Sequence, residues 1–313
     1  MRVLLPLLIL AATFTIACGG DDGGAPASTG AVTRSPYAID TGPQPFPFNT
    51  PDGRTPYPGV APGYHSFDGA EPLPDLPEGA AVYLSLGDSI NWGCCDDPNL
   101  SSHPRFAAYL SERLNREVVW LSLAGNGTLR GFLNGELGNR PQLDVAEETI
   151  ETLREDGHEV VAITLSTGGN DILELRNNMG CTGGGRPECL DAFTDLMVDF
   201  VPRMYEIYSR LNGVKDEATP FLQNNLYDAM DCGQPGADIS SSALAMQIYN
   251  ERVLSATLVG GGFLVDFWIP FDGRACEYIS GVDPTYLGYD VILDQHIAAY
   301  EALPPEYVEP WVR

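Results

Sequence analysis

Short apolar runs alternate with amphipathic segments along most of the chain. The runs that match buried strands lie at 82–86, 118–123, 160–166, 221–226 and 263–267. Between them, apolar residues recur at helical spacing over 106–114, 143–153 and 193–211, and Pro202 is expected to kink the third of these helices. Strands that alternate with helices predict a three-layer α/β/α domain, in which helices cover both faces of a mostly parallel sheet.

The chain outside this alternating region divides into three predicted parts. Arg2 and the apolar run after it predict a secretory signal peptide over residues 1–17, because the run is shorter than the roughly 20 residues of a spanning helix. Residues 18–78 are rich in Gly, Ser, Thr and Pro and predict a disordered tether, whose aromatic residues suggest that its second half lies along the domain surface. The folded domain is predicted over 79–305, with a tail at 306–313.

The cysteines predict an exported protein. The sequence that ends at Cys18 resembles a bacterial lipobox, so we predict that Cys18 is lipidated, with simple signal-peptide cleavage as the alternative. The six remaining cysteines form an even set, which predicts up to three disulfides in an oxidising compartment. The expected pairs are Cys181 with Cys189, and Cys94 and Cys95 with Cys232 and Cys276 in an order that the sequence does not specify.

Charge restricts the possible partners. The chain has 43 acidic and 17 basic residues and a net charge of −26, so it would repel a nucleic acid. Because the sequence contains neither a phosphate-binding loop nor a clustered set of metal ligands, we predict no cofactor and no metal. We expect a monomer that contacts a membrane only through Cys18.

The first strand ends in a turn with catalytic potential. Gly87, Asp88 and Ser89 follow it directly, and Gly93 comes four residues later. The glycines permit a sharp turn that holds the serine hydroxyl and its backbone N–H at the carboxyl edge of the sheet, where nucleophiles of open α/β sheets lie. An ordinary strand-to-loop turn is the alternative.

Two further strands end in small polar turns, one at Gly125 in Leu-Ala-Gly-Asn-Gly and one at Asn170 in Gly-Gly-Asn-Asp. Together the three turns resemble the SGNH/GDSL hydrolase family over about residues 80–303. The resemblance implies the flavodoxin-like fold of that family, with Ser89 as the nucleophile. It also implies that Gly125 and Asn170 donate hydrogen bonds to the oxyanion of an ester. The alternatives are that Gly125 merely ends a strand and that Asn170 caps a helix.

The resemblance fails at the block that supplies the catalytic base. The family has Asp-x-x-His before its last helix, and the matching positions here hold Ser280 and Asp283. If Asp283 takes the proton from Ser89, a carboxylate of pKa about 4 loses roughly 3.4 kcal/mol of driving force relative to imidazole. Burial would recover part of this loss by raising the pKa of Asp283. We therefore expect slow hydrolysis, or hydrolysis that is aided by a group the sequence does not identify.

The four histidines offer few substitutes for the missing base. His296 is expected about 18 Å along the last helix, His158 at the opposite edge of the sheet, and His65 in the tether. His103 opens the helix after the nucleophile turn and is the candidate for a replacement base. The alternative for His103 is a solvent-facing loop residue.

The sequence thus predicts an extracytoplasmic lipoprotein of bacterial type that hydrolyses carboxylic esters through an acyl-enzyme on Ser89. The family resemblance implies acyl groups on carbohydrate or lipid as substrates. A degenerate hydrolase that binds a carbohydrate or other ligand without turnover is the alternative hypothesis.

Overall fold

A computed structural model describes residues 64–65, 73–93, 101–125, 127–135, 140–179, 187–229 and 239–313. The predicted signal peptide, Cys18 and most of the predicted tether lie outside the described residues. Cys189 and Cys276 are described, whereas the other cysteines of the predicted disulfides, Cys94, Cys95, Cys181 and Cys232, are not. The disulfide pairings therefore stay predictions.

Parallel strands form one sheet with β2 near its centre. The strands are β1 Tyr64–His65, β2 Ala81–Gly87, β3 Val118–Ser122, β4 Glu159–Ser166, β5 Phe221–Asn224 and β6 Phe263–Val265. They lie in the order β1-β3-β2-β4-β5-β6. All of β2 is buried, because helices cover both faces of the sheet. The chain extends from β2 first to β3 and then to β4 on the other side, so the carboxyl end of β2 is a switch point at which ligands bind in open α/β sheets.

The helices are α1 Ser89–Trp92, α2 Ser102–Leu114, α3 Leu129–Asn134, α4 Gln142–Glu155, α5 Gly169–Met179, α6 Pro187–Val214, α7 Ile239–Val259, α8 Trp268–Phe271, α9 Ala275–Tyr278 and α10 Tyr286–Glu301. The three predicted helices are confirmed as α2, α4 and α6, and α6 continues through Pro202. Helix α2 packs on α10, whereas α6 packs on α4 and α7. The predicted α/β fold with flanking helices is confirmed.

A short hairpin joins α9 to α10. Its strands, β7 Ile279–Ser280 and β8 Asp283–Pro284, pair antiparallel with Ser280 opposite Asp283. Gly281 occupies the turn with a φ of 69°, a backbone conformation that favours glycine. The hairpin fixes the backbone on which Asp283 stands.

Residues beyond the predicted domain limits also join the fold. β1, inside the segment predicted as a tether, pairs with β3, and Leu73 and Leu76 pack against the core. At the other end, Trp311 is buried within a 3-10 turn. Within the described part of the chain, no helix has the length and apolar character needed to cross a membrane.

Candidate active site

The carboxyl end of β2 turns directly into the helix that carries Ser89. The N–H of Asp88 donates to the carbonyl of Ser166 (2.8 Å), which ties the turn to the end of β4. Gly87 has a φ of 108°, and a Cβ there would overlap the carbonyl oxygen of Ser166. Only glycine therefore fits the position before Asp88, as the Gly-Asp-Ser motif suggested.

Ser89 lies on a very short helix and contacts a carboxylate. The side chain of Asp88 caps α1 by accepting from the N–H of Ile90 (3.2 Å), and Gly93 ends α1 in the left-handed conformation. Half-buried Ser89 donates its Oγ hydrogen to Oδ1 of Asp283 at 3.1 Å. The structure thus brings together two predicted site residues that are 194 positions apart.

The two predicted oxyanion donors, Gly125 and Asn170, each already donate a hydrogen bond within the protein. The N–H of Gly125 donates to the carbonyl of Gly87 at 2.9 Å, and so extends the β2–β3 pairing by one step. Asn170 Nδ2 donates to the carbonyl of Gly127 at 3.0 Å. Asn170 therefore lies against the peptide of Gly127, while the N–H of Gly125 already has an acceptor within the sheet.

Asn170 stands at the start of α5, in a turn with little freedom. Gly168 has a φ of 94°, and a Cβ there would collide with the ring of Tyr249. Asp171 accepts from the N–H of Leu129 at 2.7 Å and so joins α5 to the start of α3. These contacts set the position of the Asn170 amide relative to the turn after β3.

Three carboxylates near the turn are protonated more readily than usual. Burial raises the pKa of Asp88 to about 6, the hydrogen bond from the N–H of Ile90 opposes the rise, and the charges of Asp283 and Asp171 add to it. Burial also raises the pKa of Asp283, although the hydrogen bond from Ser89 favours its charged form. The pKa of Asp171 is raised by burial as well.

The raised pKa of Asp88 predicts how stability depends on pH. The folded protein holds this proton more tightly than the unfolded chain, so the contribution is complete below pH 3.8 and is lost as pH rises through about 6. The shift corresponds to about 3 kcal/mol. Asp88→Asn keeps an oxygen for the helix cap but never ionises, so we expect it to be about 1–3 kcal/mol more stable than wild type at pH 7.

Urea unfolding of both proteins from pH 4 to pH 8 measures this difference. The stability gap between variant and wild type should open between pH 4 and pH 6 and then stay constant. A variant that is less stable than wild type at every pH would contradict the assignment.

The described histidine side chains do not reach Ser89. His103 is fully buried, with Nδ1 on the hydroxyl of Tyr83 (2.7 Å) and Nε2 on the carbonyl of Ile90 (3.1 Å). His103 was the candidate replacement base, and both the base role and the solvent-facing alternative are wrong, because both ring nitrogens are engaged beneath α1. His296 is also fully buried, with Nε2 3.1 Å from Asn224 Oδ1, and His158 contacts the carbonyl of Ala80 at the amino end of β2.

Two residues that hold the turn were missed from the sequence. Gln142, at the start of α4, brackets Gly87: its Oε1 accepts from the N–H at 2.6 Å and its Nε2 donates to the carbonyl at 3.1 Å. Asn91, within α1, donates from Nδ2 to the carbonyl of Leu86 at 2.8 Å. The position of Asn91 directly after Ser89-Ile90 was the available signal, whereas no pattern marked Gln142.

In the described ranges, no group of three His, Cys, Asp or Glu residues is placed to hold a metal ion.

Comparison with solved structures finds lipases. A lipase from a goat rumen metagenome superposes with a TM-score of 0.53 at 21% sequence identity, over 70% of this chain and 97% of the lipase. An extracellular lipase from Streptomyces rimosus gives a TM-score of 0.52 at 16% identity, over 70% of this chain and 99% of the lipase. No family model and no curated protein matches the sequence. Because the sequence identities are low, these comparisons bear on the fold, and they confirm the predicted fold.

Proposed function

Because the chain has the fold of the SGNH/GDSL hydrolases, we propose that it hydrolyses carboxylic esters through an acyl-enzyme on Ser89. The contact of 3.1 Å between Ser89 Oγ and Asp283 Oδ1 carries this proposal, because it gives the hydroxyl a proton acceptor at the switch point of the sheet. The substrates in this proposal are small-molecule or glycan esters, with the acyl group on carbohydrate or lipid.

The reaction would proceed in two balanced steps. Ser89 Oγ attacks the ester carbonyl while its proton moves to Asp283, and the leaving alkoxide takes that proton as the carbon–oxygen bond breaks. A water molecule then attacks the acyl-enzyme, again giving a proton to Asp283. The proton returns to Ser89 Oγ as the carboxylic acid leaves.

Asp283 is a weaker base than imidazole, and the environment reduces the deficit. Burial raises its pKa toward that of imidazole and so increases its affinity for the serine proton. The charge of Asp283 raises the pKa of Asp88, which disfavours ionisation of both groups together. The expected outcome is hydrolysis that is slower than in a histidine-based site.

We assign the oxyanion donors to the N–H of Ser89, the side chain of Asn170 and the N–H of Gly127. An asparagine amide carries two hydrogens, so Asn170 can donate to Gly127 and still direct its second hydrogen at the oxyanion. Gly127 replaces the predicted Gly125, whose N–H is bonded within the sheet. A Cβ at Gly127 would meet no atom within 4 Å, so this peptide borders open space.

Binding without turnover is the second candidate function. The observation that favours it is the position of Asp283, where a carboxylate rather than an imidazole faces Ser89 and would repel a developing oxyanion. Under either function, we propose an exported, monomeric lipoprotein that is anchored through Cys18, on the basis of the sequence around that residue.

One experiment separates the two candidates. The purified protein is incubated with diethyl p-nitrophenyl phosphate, which phosphorylates activated serines, and in parallel with p-nitrophenyl esters from acetyl to octanoyl. A hydrolase should release p-nitrophenol from at least one ester and carry a diethyl phosphoryl group on the peptide that contains Ser89. Neither ester turnover nor a Ser89 adduct would support the binding protein and reject the hydrolase.

A further inference from the structure

Helix α1 is too short to hold its own position. It has only four residues, whereas isolated helices of fewer than about 12 residues are unstable in water. Its carbonyls are instead bonded from several directions: Gly93 N–H donates to Ser89, His103 Nε2 to Ile90, and Ser85 Oγ to Asn91. The location of the nucleophile therefore depends on side chains outside α1.

One of these supports is a buried chain of three polar side chains. Asn91 Nδ2 donates to the carbonyl of Leu86 at 2.8 Å, which fixes the orientation of its amide. Its Oδ1 accepts from Asn224 Nδ2 at 2.8 Å, and Asn224 Oδ1 lies 3.1 Å from His296 Nε2. Asn91, Asn224 and His296 are all at most 1% exposed.

The hydrogen bonds that link Asn91, Asn224 and His296 have defined donors and acceptors. Since Asn91 donates to a backbone carbonyl, Asn224 must present its NH₂ to Asn91 and its oxygen to His296. Burial lowers the pKa of His296 well below its usual value, so the ring is neutral and carries one proton. Both ring nitrogens face acceptors, Nε2 facing Asn224 Oδ1 and Nδ1 lying 3.0 Å from the carbonyl of Ile292, so the proton completes the link to Asn224 in the Nε2–H tautomer. Burial of these polar side chains is unfavourable unless they are hydrogen-bonded, as the links from Asn91 to Asn224 and from Asn224 to His296 provide.

The three hydrogen-bonded side chains also connect the two halves of the candidate site. Asn91 is two residues after Ser89 on α1, while His296 is on α10, which begins three residues after Asp283. We propose that His296 is a positioning residue, which acts through Asn224 and Asn91 to hold Ser89 in register with Asp283. The inference rests on the proposed function, because it assigns these residues to the reaction of Ser89.

The test compares two His296 variants with a neighbouring aromatic. His296→Leu removes the donor, and His296→Gln retains an amide N–H near the position of Nε2. Phe267→Leu is the matched control, because Phe267 is buried against His296 with ring centroids 5.6 Å apart. Ester turnover and melting temperature are measured for each protein.

A small misplacement of reacting groups lowers rates by about 100-fold. We therefore expect His296→Leu to lose about 10- to 100-fold in kcat with KM within about twofold. His296→Gln should stay within about threefold of wild type, and Phe267→Leu should keep its kcat although its melting temperature falls. Equal kcat losses in His296→Leu and Phe267→Leu would overturn the proposal.

A second measurement keeps this test separate from the proposed function. Hydrogen exchange of the Trp92 and Gly93 amides, which bond to Asp88 and Ser89, reports on α1 even in a protein without turnover. We expect exchange in His296→Leu to be about tenfold or more faster than in Phe267→Leu. Unchanged exchange would reject the positioning role, whereas absent turnover in wild type would reject only the hydrolase. If His296→Leu does not fold, Asn224→Ala breaks the same chain and should give the same results.

Discussion

Ser89→Ala is expected to reduce the rate of ester hydrolysis to the uncatalysed rate in buffer, a loss of about 1,000-fold or more. The hydroxyl oxygen is the atom that would form the acyl-enzyme, and it is the atom that donates to Asp283. Alanine removes one half-buried hydroxyl and fits the first position of α1, so the melting temperature should change little. Initial rates with p-nitrophenyl acetate, measured beside a melting curve, test this expectation.

Ser209→Ala serves as the control, because Ser209 is an exposed serine on α6 away from the turn. It should retain the full rate. If Ser89→Ala keeps a substantial fraction of the wild-type rate, then the turnover does not pass through the proposed acyl-enzyme. The diethyl phosphoryl adduct should likewise be absent from Ser89→Ala and present in the control.

Asp283→Asn is expected to lower kcat/KM by about 100- to 1,000-fold. Asparagine has nearly the same shape and can still accept a hydrogen bond from Ser89, but it cannot take a proton. The loss should therefore fall on kcat, with KM close to that of wild type. An undiminished rate would mean that another group accepts the serine proton.

The pH profile identifies the base directly. Only the deprotonated carboxylate can act as the base, so the wild-type rate should rise with pH through the pKa of Asp283, which burial raises above 3.8. In Asp283→His the rising limb should move toward the imidazole pKa of about 6.5, with a higher plateau. Asp88→Asn is the control, since it removes the other carboxylate that titrates near this pH and should keep the rising limb of wild type.

The fold was accessible to sequence analysis because it depends on periodic patterns. Strands such as β2 are continuous apolar runs, since both faces of the sheet are covered, and helices such as α6 repeat their apolar residues every three to four positions. Domain limits were less accessible. The pairing of Tyr64–His65 with β3 involves two residues in a Pro-rich segment, and so short a strand has no period of its own.

Local motifs likewise identified Ser89, Asn170 and Asp283 as candidates, because a turn at the end of a parallel strand can be recognised from a few residues. Whether two such residues meet depends on contacts between distant segments. Only the tertiary structure brought Ser89 to Asp283, bonded the N–H of Gly125 within the sheet and buried His103 beneath α1. The sequence by itself thus determined the elements and the chemical groups at their ends. The directions in which those groups donate and accept hydrogen bonds were decided by tertiary packing, since a hydrogen bond requires a distance and an angle between residues that local preferences do not relate.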